Sequence, residues 1–398
     1  MTPTPPFPLA EADRCVKCGL CLPQCPTYAL SRNEADSPRG RIALMQGLAQ
    51  QRIPLSEALE RHLDGCLGCR ACEQACPAAV PYGDLIDAGR AALGAAKPAR
   101  LRRVRILSQV LQRSALRAVI RVLVRLISPL RHYGQGGSRL HRGLSLIPRL
   151  TVSRAPDVEA PAASAPSAHI FVGCVGDIVE RGVAADLRRL LARCGWRTQV
   201  TPAQTCCGAL DQHAGRPTAA TTLAQQNIAA FDGVMPILPL ATGCAATLLD
   251  YPCLNTDDGS DFASRVRDPL DFLLQHGAAL AFKPLTAKIA VHEPCTQRNV
   301  IRKGAALRSL LARIPGIELT QLDASGRCCG AAGTHFLTTP DAADALLQPK
   351  LDAAREQQPT IIVSANIGCS LHLAAGLRRA GIEAEVLHPL QLLAQQLI

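Results

Sequence analysis

The chain has 398 residues, 48% of them apolar, enough for two or three domains with buried cores. It carries 18 cysteines but only 3% aromatic residues, a balance that points to metal chemistry and away from a base-stacking surface. The net charge of +11 is local: Lys97 to Arg154 holds 14 Lys or Arg and no acid, and subtracting these leaves −3 for the rest. No groove-reading motif accompanies that charge, so nucleic acid is not expected as a partner.

The first elements are two cysteine runs. Cys15, Cys18, Cys21 and Cys25 precede Pro26, and Cys66, Cys69, Cys72 and Cys76 precede Pro77, so each spells C-x2-C-x2-C-x3-C-P. This spacing holds two [4Fe–4S] clusters in bacterial-type ferredoxins, where three thiolates come from one tight loop and the fourth from the other run. By that rule Cys15, Cys18, Cys21 and Cys76 hold one cluster, and Cys66, Cys69, Cys72 and Cys25 the other. Disulfides fit less well, because the chain opens MTPTPPFPLAEADR without an apolar signal core. Structural zinc takes four ligands, which leaves cysteines of these runs surplus. Gly40 to Gln51, Leu55 to Leu63 and Tyr82 to Leu93 carry helical patterns, and strand signals are scarce, so residues 1–95 read as a helical ferredoxin domain.

Residues 96–165 read as a basic helical segment and a linker. In residues 97–131, one or two helices are expected, with Arg113, Arg117, Arg121 and Arg125 recurring every fourth position among Leu, Val, Ile and Ala. Such a stripe can face solvent, lie at a membrane surface or dock on an acidic partner, and the lack of any acid favours the last two. No uninterrupted run of about 18 apolar residues exists, so no transmembrane helix is expected. Residues 154–168, RAPDVEAPAASAPSA, read as a linker.

The remainder is an internal repeat, one unit on 166–282 and the other on 283–398. Ala168 to Val172 and Lys288 to His292 read as strands leading to Cys174 and Cys295, and Gly195 and Gly316 each close a helix 21 residues later. Cys206-Cys207-Gly208 and Cys328-Cys329-Gly330 follow, then Gly243-Cys244 and Gly368-Cys369, then helices opening at Pro269-Leu270 and Pro389-Leu390. Alternating strands and helices imply α/β units, so the fold class is multidomain α and α/β. The thiols Cys174, Cys206, Cys207 and Cys244, and likewise Cys295, Cys328, Cys329 and Cys369, fall at strand and helix junctions where α/β sheets place ligands. They read as ligands of a further cluster in one or both units, with a redox-active vicinal dithiol as the alternative. Cys-Cys-Gly must be a turn, since neighbours in a strand face opposite ways, and Cys244 and Cys369 are expected to open helices. Cys194 and Cys253 read as ordinary buried cysteines, and His213, His292, His335 and His372 as packing or hydrogen-bonding residues.

CVKCGLCLPQCPTY (15–28), SPRGRI (37–42), CLGCRACEQACPAAVPYGDLIDAGR (66–90), RCCGAAGTH (327–335) and SANIGCSLHL (364–373), in this order, resemble the iron–sulfur subunits that accompany flavin dehydrogenases of 2-hydroxy acids, the glycolate oxidase type above all. The resemblance spans most of the chain, and 97–165 matches least. Related subunits serve anaerobic glycerol-3-phosphate dehydrogenase, lactate utilisation and heterodisulfide reductase. The resemblance implies that a partner flavoprotein oxidises the substrate, glycolate to glyoxylate in the first instance, and that this chain carries electrons towards a quinone. It places the chain in the cytoplasm, peripheral on the inner membrane, and assigns it no catalytic residue. No G-x-G-x-x-G follows a strand, which agrees with a flavin held elsewhere. In heterodisulfide reductases the last cysteine of each unit belongs to a C-x2-C pair, whereas Thr247 and His372 stand at that position here. That argues against heterodisulfide reduction and leaves a four-thiolate cluster, or none, in each unit. The remaining alternatives are the iron–sulfur subunit of a glycerol-3-phosphate or lactate dehydrogenase, and a thiol–disulfide reductase acting through the Cys-Cys pairs.

Overall fold

The computed structural model describes residues 7–134, 139–150, 152–153, 158–254 and 256–398, so positions 154–157 of the expected linker lie outside the described residues. Among the described residues no strand precedes position 167. Ser37 caps helix α1 (Pro38–Ala49) by accepting from the Gly40 N–H at 3.0 Å, with Pro38 in the first turn. Ser56 caps α2 (Glu57–Asp64), whose Glu57 and Glu60 stand in the first turn and whose Arg61 and His62 stand in the last, each matching the helix dipole. These helices and α3 (Tyr82–Ala96) bury Ile42, Met45, Leu63, Leu85 and Leu93 in a small core on which Cys15, Cys21, Cys66 and Cys76 pack.

The basic segment forms α4 (Arg102–Gln112) and α5 (Ser114–Ile127). The middle of its arginine stripe, Arg117 and Arg121, faces the chain itself, while Arg113 and Arg125 are exposed. Arg117 is buried and donates from Nε to Asp177 Oδ2 at 2.9 Å, and Arg121 donates to the Asp177 carbonyl at 3.0 Å. Arg142 likewise binds Asp341 at 3.0 Å and Asp344 at 2.6 Å, and Arg149 pairs with Glu385. Acids of the repeat thus pair with part of this segment, and Glu60 and Asp64 of the ferredoxin domain pair with Lys97 and Arg100. The apolar face of α5 turns outward instead, with Val119, Val122, Leu123 and Leu126 between 53% and 70% exposed. Among the described residues no helix is long and apolar enough to cross a membrane.

Each repeat unit is a parallel sheet flanked by helices. Strands β1 (Ser167–Phe171), β2 (Arg197–Gln199) and β3 (Ile237–Pro239) order as β2-β1-β3, with Ser167 opposite Arg197 and His169 opposite Ile237. Strands β4 (Ala287–Val291), β5 (Ile317–Gln321), β6 (Ile361–Val363) and β7 (Glu385–Leu387) order as β5-β4-β6-β7. The counterpart of β7 in the first unit is a single bridge between Ile237 and Val266. In both units the chain reverses direction across the first strand, which leaves a crevice beyond its carboxyl end.

The first unit contains α6 (Cys174–Val179), α7 (Arg181–Arg193), α8 (Thr242–Leu249) and α9 (Pro269–His276). The second contains α10 (Gly304–Leu311), α11 (Ile367–Arg379) and α12 (Pro389–Gln395). The closing helices are exchanged: α9 packs on α10, and α12 packs on α7. His388 caps α12 by accepting from the Leu390 N–H at 3.2 Å, and its Nε2 donates to the Leu240 carbonyl of the first unit at 2.9 Å. Leu190, Leu273, Leu307, Leu390 and Leu393 therefore belong to one buried core that spans both units. Truncating Leu393, fully buried on the last helix, to alanine is expected to destabilise the first unit as well as the second, by about 2–5 kcal/mol. Denaturation followed by fluorescence of Trp196, which packs on Phe272 in the first unit, checks this: an unmoved Trp196 transition contradicts it.

Candidate iron–sulfur centres

Cys15, Cys18, Cys21 and Cys76 line one cavity, with Cys72 also on its wall. Cys25, Cys66, Cys69 and Cys72 line a second, so the structure brings together each foursome that the spacing pairs. Cys72 touches both cavities. Burial, followed by neighbouring thiols, pushes Cys69 and Cys72 well above the usual thiol range, so these groups ionise only beside a compensating cation. A donor set of this kind suits an iron–sulfur cluster, whose irons supply that charge.

No spacing rule points to the cations around the second cavity. Arg41 lines it, is 1% exposed, donates from Nε to the His62 carbonyl at 2.6 Å and from Nη1 to Thr27 Oγ1 at 3.0 Å. Burial alone would push its guanidinium down, but Tyr82, Cys66, Cys25 and Asp36 outweigh burial and hold it up. Arg90 is 5% exposed and donates to the carbonyls of Leu63 at 2.9 Å, Asp64 at 3.1 Å and Cys66 at 2.6 Å. The Tyr82 hydroxyl and the Gly68 N–H point at Cys66 Sγ from 3.6 and 3.5 Å, a placement that stabilises electron-rich sulfur.

In the repeat units the thiols form two matching ladders. Cys174 Sγ lies 3.4 Å from Cys206 Sγ, and Cys206, Cys207, Cys174 and Cys244 pack in one cluster. Cys295 Sγ lies 4.0 Å from Cys328 Sγ, Cys329 follows Cys328 in the chain, and Cys329 Sγ lies 3.2 Å from Cys369 Sγ. Both ladders stand beyond the carboxyl ends of the strands, where Cys174 opens α6 and where Cys244 and Cys369 sit in the first turns of α8 and α11. Hydrogen bonds between thiols, then burial, hold Cys174 and Cys295 well above the usual range. In the first unit Asn227 Nδ2 donates to the Cys206 carbonyl at 2.9 Å and Tyr251 Oη to the Cys207 carbonyl at 3.1 Å, which fixes the turn. In the second, Asn366 Nδ2 donates to Cys369 Sγ at 3.5 Å.

The sites adjoin one another. Cys69 of the second cavity packs in one apolar cluster with Leu67, Cys295, Cys328 and Leu346. Asn299 Nδ2 donates to the Cys69 carbonyl and Gln74 Nε2 to the Asn299 carbonyl, both at 2.7 Å. Between the units, Thr296 Oγ1 donates to Thr242 Oγ1 at 2.8 Å and the Thr242 N–H to the Ala365 carbonyl at 3.0 Å. Against the first unit the ferredoxin domain makes Arg70–Asp250 and Asp87–His213 ion pairs of 2.8 and 3.0 Å.

His213, His335 and His372 make the expected polar contacts, the last two to the carbonyls of Gly330 and Ala343 at 3.1 and 3.2 Å. His292 differs: a ring nitrogen and the sulfurs of Cys329 and Cys369 lie within 4.8 Å of one another. Cys194 is half-buried, its Sγ 3.1 Å from the Leu190 carbonyl. Cys253, expected to be buried, is exposed, because the short helical turn that carries it runs along the surface.

Comparison with known proteins agrees with this arrangement. A 4Fe-4S dicluster domain matches residues 11–80, and a cysteine-rich domain matches 168–249 and 289–374. The chain is 32% identical to the probable glycolate oxidase iron-sulfur subunit of Bacillus subtilis (strain 168), over 94% of this chain and 91% of that one. It is 33% identical to the glycolate oxidase iron-sulfur subunit of Escherichia coli (strain K12), over 92% of each. The chain belongs to the family of glycolate oxidase iron–sulfur subunits. A shorter relative, lactate utilization protein A of Oceanobacillus iheyensis, is 25% identical over 56% of this chain and 95% of its own length. Membership makes the chain an iron–sulfur, electron-transfer component of an oxidoreductase system.

The two Cys-Cys-Gly turns of this family member are not equally tight. Gly208 and Gly330 both have positive φ, +93° and +86°. A Cβ on Gly330 would meet the Ala343 carbonyl oxygen at 2.7 Å, whereas one on Gly208 would stand 3.4 Å from that of Ala220. Gly208→Ala should therefore lose only the roughly 1–2 kcal/mol that left-handed backbone costs an L-residue. Gly330→Ala should lose clearly more, and equal losses in chemical denaturation of the two variants would contradict the backbone clash.

Proposed function

We propose that this chain is the electron-carrying subunit of a flavin-dependent 2-hydroxy-acid dehydrogenase. A partner flavoprotein oxidises glycolate to glyoxylate, and electrons pass through this chain towards a quinone. The observation that carries this reading is the run of thiol sites from the ferredoxin domain to the second unit, in which Cys72 touches both ferredoxin cavities and Cys69 packs against Cys295 and Cys328. In this reading Cys15, Cys18, Cys21 and Cys76 hold one [4Fe–4S] cluster and Cys66, Cys69, Cys72 and Cys25 the other. The two ladders hold further iron, so that the ferredoxin domain, 1–95, the basic segment, 96–165, and the units 166–282 and 283–398 form one relay. Bound clusters supply one-electron chemistry, with potentials set by burial and by hydrogen bonds to sulfur. Arg41, Tyr82 and the Gly68 N–H do that setting from this chain.

The burial of the Cys-Cys pairs favours ligation over thiol exchange. Cys206, Cys207, Cys328 and Cys329 are at most 4% exposed, and an exchanging thiol needs access and a ready thiolate. With the flavoprotein present, Cys69→Ser should leave flavin reduction by glycolate intact and abolish electron transfer to a quinone analogue. A flavoprotein that reduces the quinone at the full rate without this chain would sink the reading. Iron analysis of the anaerobically purified chain should give about 16 irons with a [4Fe–4S] cluster in each unit, and about eight if iron is confined to the ferredoxin domain.

The same reading places the chain on the cytoplasmic face of the membrane through α5. Its outward apolar face is flanked by exposed Arg102, Arg103, Arg105, Arg113 and Arg125, the composition of a helix that lies among anionic headgroups. Leu123→Glu with Leu126→Glu should weaken binding to phosphatidylglycerol vesicles at least tenfold, a loss of about 1.4 kcal/mol. Flotation of the double variant with undiminished affinity would remove α5 from the contact.

A further inference from the structure

His292 stands where β4 ends, at the crevice between β4 and β6 where the sheet order reverses, the position at which open parallel sheets hold ligands. Its side chain is 4% exposed and its Nε2 has no hydrogen-bond partner. A buried imidazole nitrogen without a partner is destabilising, and a bond to a metal relieves it. A ring nitrogen of His292, Cys329 Sγ and Cys369 Sγ form the one group of three such donors within 4.8 Å of one another among the described residues. The two sulfurs are 3.2 Å apart, inside the about 3.8 Å edge that two sulfurs span on one tetrahedral ion at bond lengths near 2.3 Å. Cys328, buried and next to Cys329 in the chain, is the next donor in line. In the first unit the residue that follows the corresponding strand is Val172, which offers no donor.

We propose that His292 is a metal ligand, so that the second unit binds iron through one imidazole and the thiolates of Cys329 and Cys369, whereas the first unit offers thiolates alone. This rests on the reading of the second unit as a relay station. Imidazole in place of thiolate removes negative charge from an iron centre and raises its potential. The second unit, which adjoins Cys69, is then the more readily reduced of the two and the first to draw electrons from the ferredoxin domain.

The test uses the full chain, purified anaerobically from cells fed 15N-histidine and reduced in steps under potential control. Pulsed paramagnetic resonance should show nitrogen coupling to one centre, present in Cys206→Ser and absent in His292→Cys. His292→Cys should keep its iron and move that centre to lower potential, and His292→Ala should lose the second unit's iron. Iron lost in Cys328→Ser but no nitrogen coupling in the unmutated chain overturns the proposal. Coupling that survives His292→Cys overturns it too. About eight irons, unchanged by Cys328→Ser, together with a zinc ion that is lost in His292→Ala, would keep the imidazole ligand and sink the relay reading. About eight irons with no metal that depends on His292 would overturn both.

Discussion

Buried guanidinium groups let two cysteine runs share one small helical domain. Helix α2 ends just before Cys66, and its last carbonyls have no partner within the helix. Arg90 takes up three carbonyls of that region, those of Leu63, Asp64 and Cys66, and sets a positive charge where the helix dipole is negative. The loop that presents Cys66, Cys69 and Cys72 is thereby anchored before any metal arrives. Arg41 anchors the other side, joining the His62 carbonyl to Thr27, two residues past Cys25. Because the guanidinium stays charged in any environment, the same groups also offset the negative charge that thiolates and sulfide concentrate there.

The repeat is symmetric in sequence but not in its surroundings. Both ladders have the same order of thiols, yet the second meets the ferredoxin domain through Cys295 and Cys328, while the first meets it through surface ion pairs. Asn299 joins the Cys69 loop to the second unit by way of its side chain, and its own carbonyl binds Gln74. Two copies of one module have thus been given different neighbours, and with them different electrical positions.

Much of this was legible in the sequence where the signal was local. The foursomes could be read because a C-x2-C-x2-C loop turns its sulfurs one way whatever surrounds it. The strands leading to Cys174 and Cys295, and the proline-started helices at 269 and 389, lie where apolar runs and helix-start residues put them, to within a residue. The arginine stripe could not be resolved from sequence because an amphipathic helix can present either face. Asp177, 60 residues beyond Arg117, draws Arg117 and Arg121 inward and leaves Arg113 and Arg125 outside. Arg41, Arg90 and His292 carry no pattern of their own, and only the packing that buries them reveals what they do.

The exchange of closing helices also has a bearing on biosynthesis. Leu390 and Leu393, which complete the core beside α7, lie within the last nine residues of the chain. A domain that emerges from the ribosome ordinarily folds as a unit before its successors are made. Here the flank of the first α/β unit beside α7 stays open until α12 has been made. The unit's thiol ladder, Cys174 to Cys244, packs in a separate cluster built from residues 171–266, so a metal destined for it need not wait for α12 to be made.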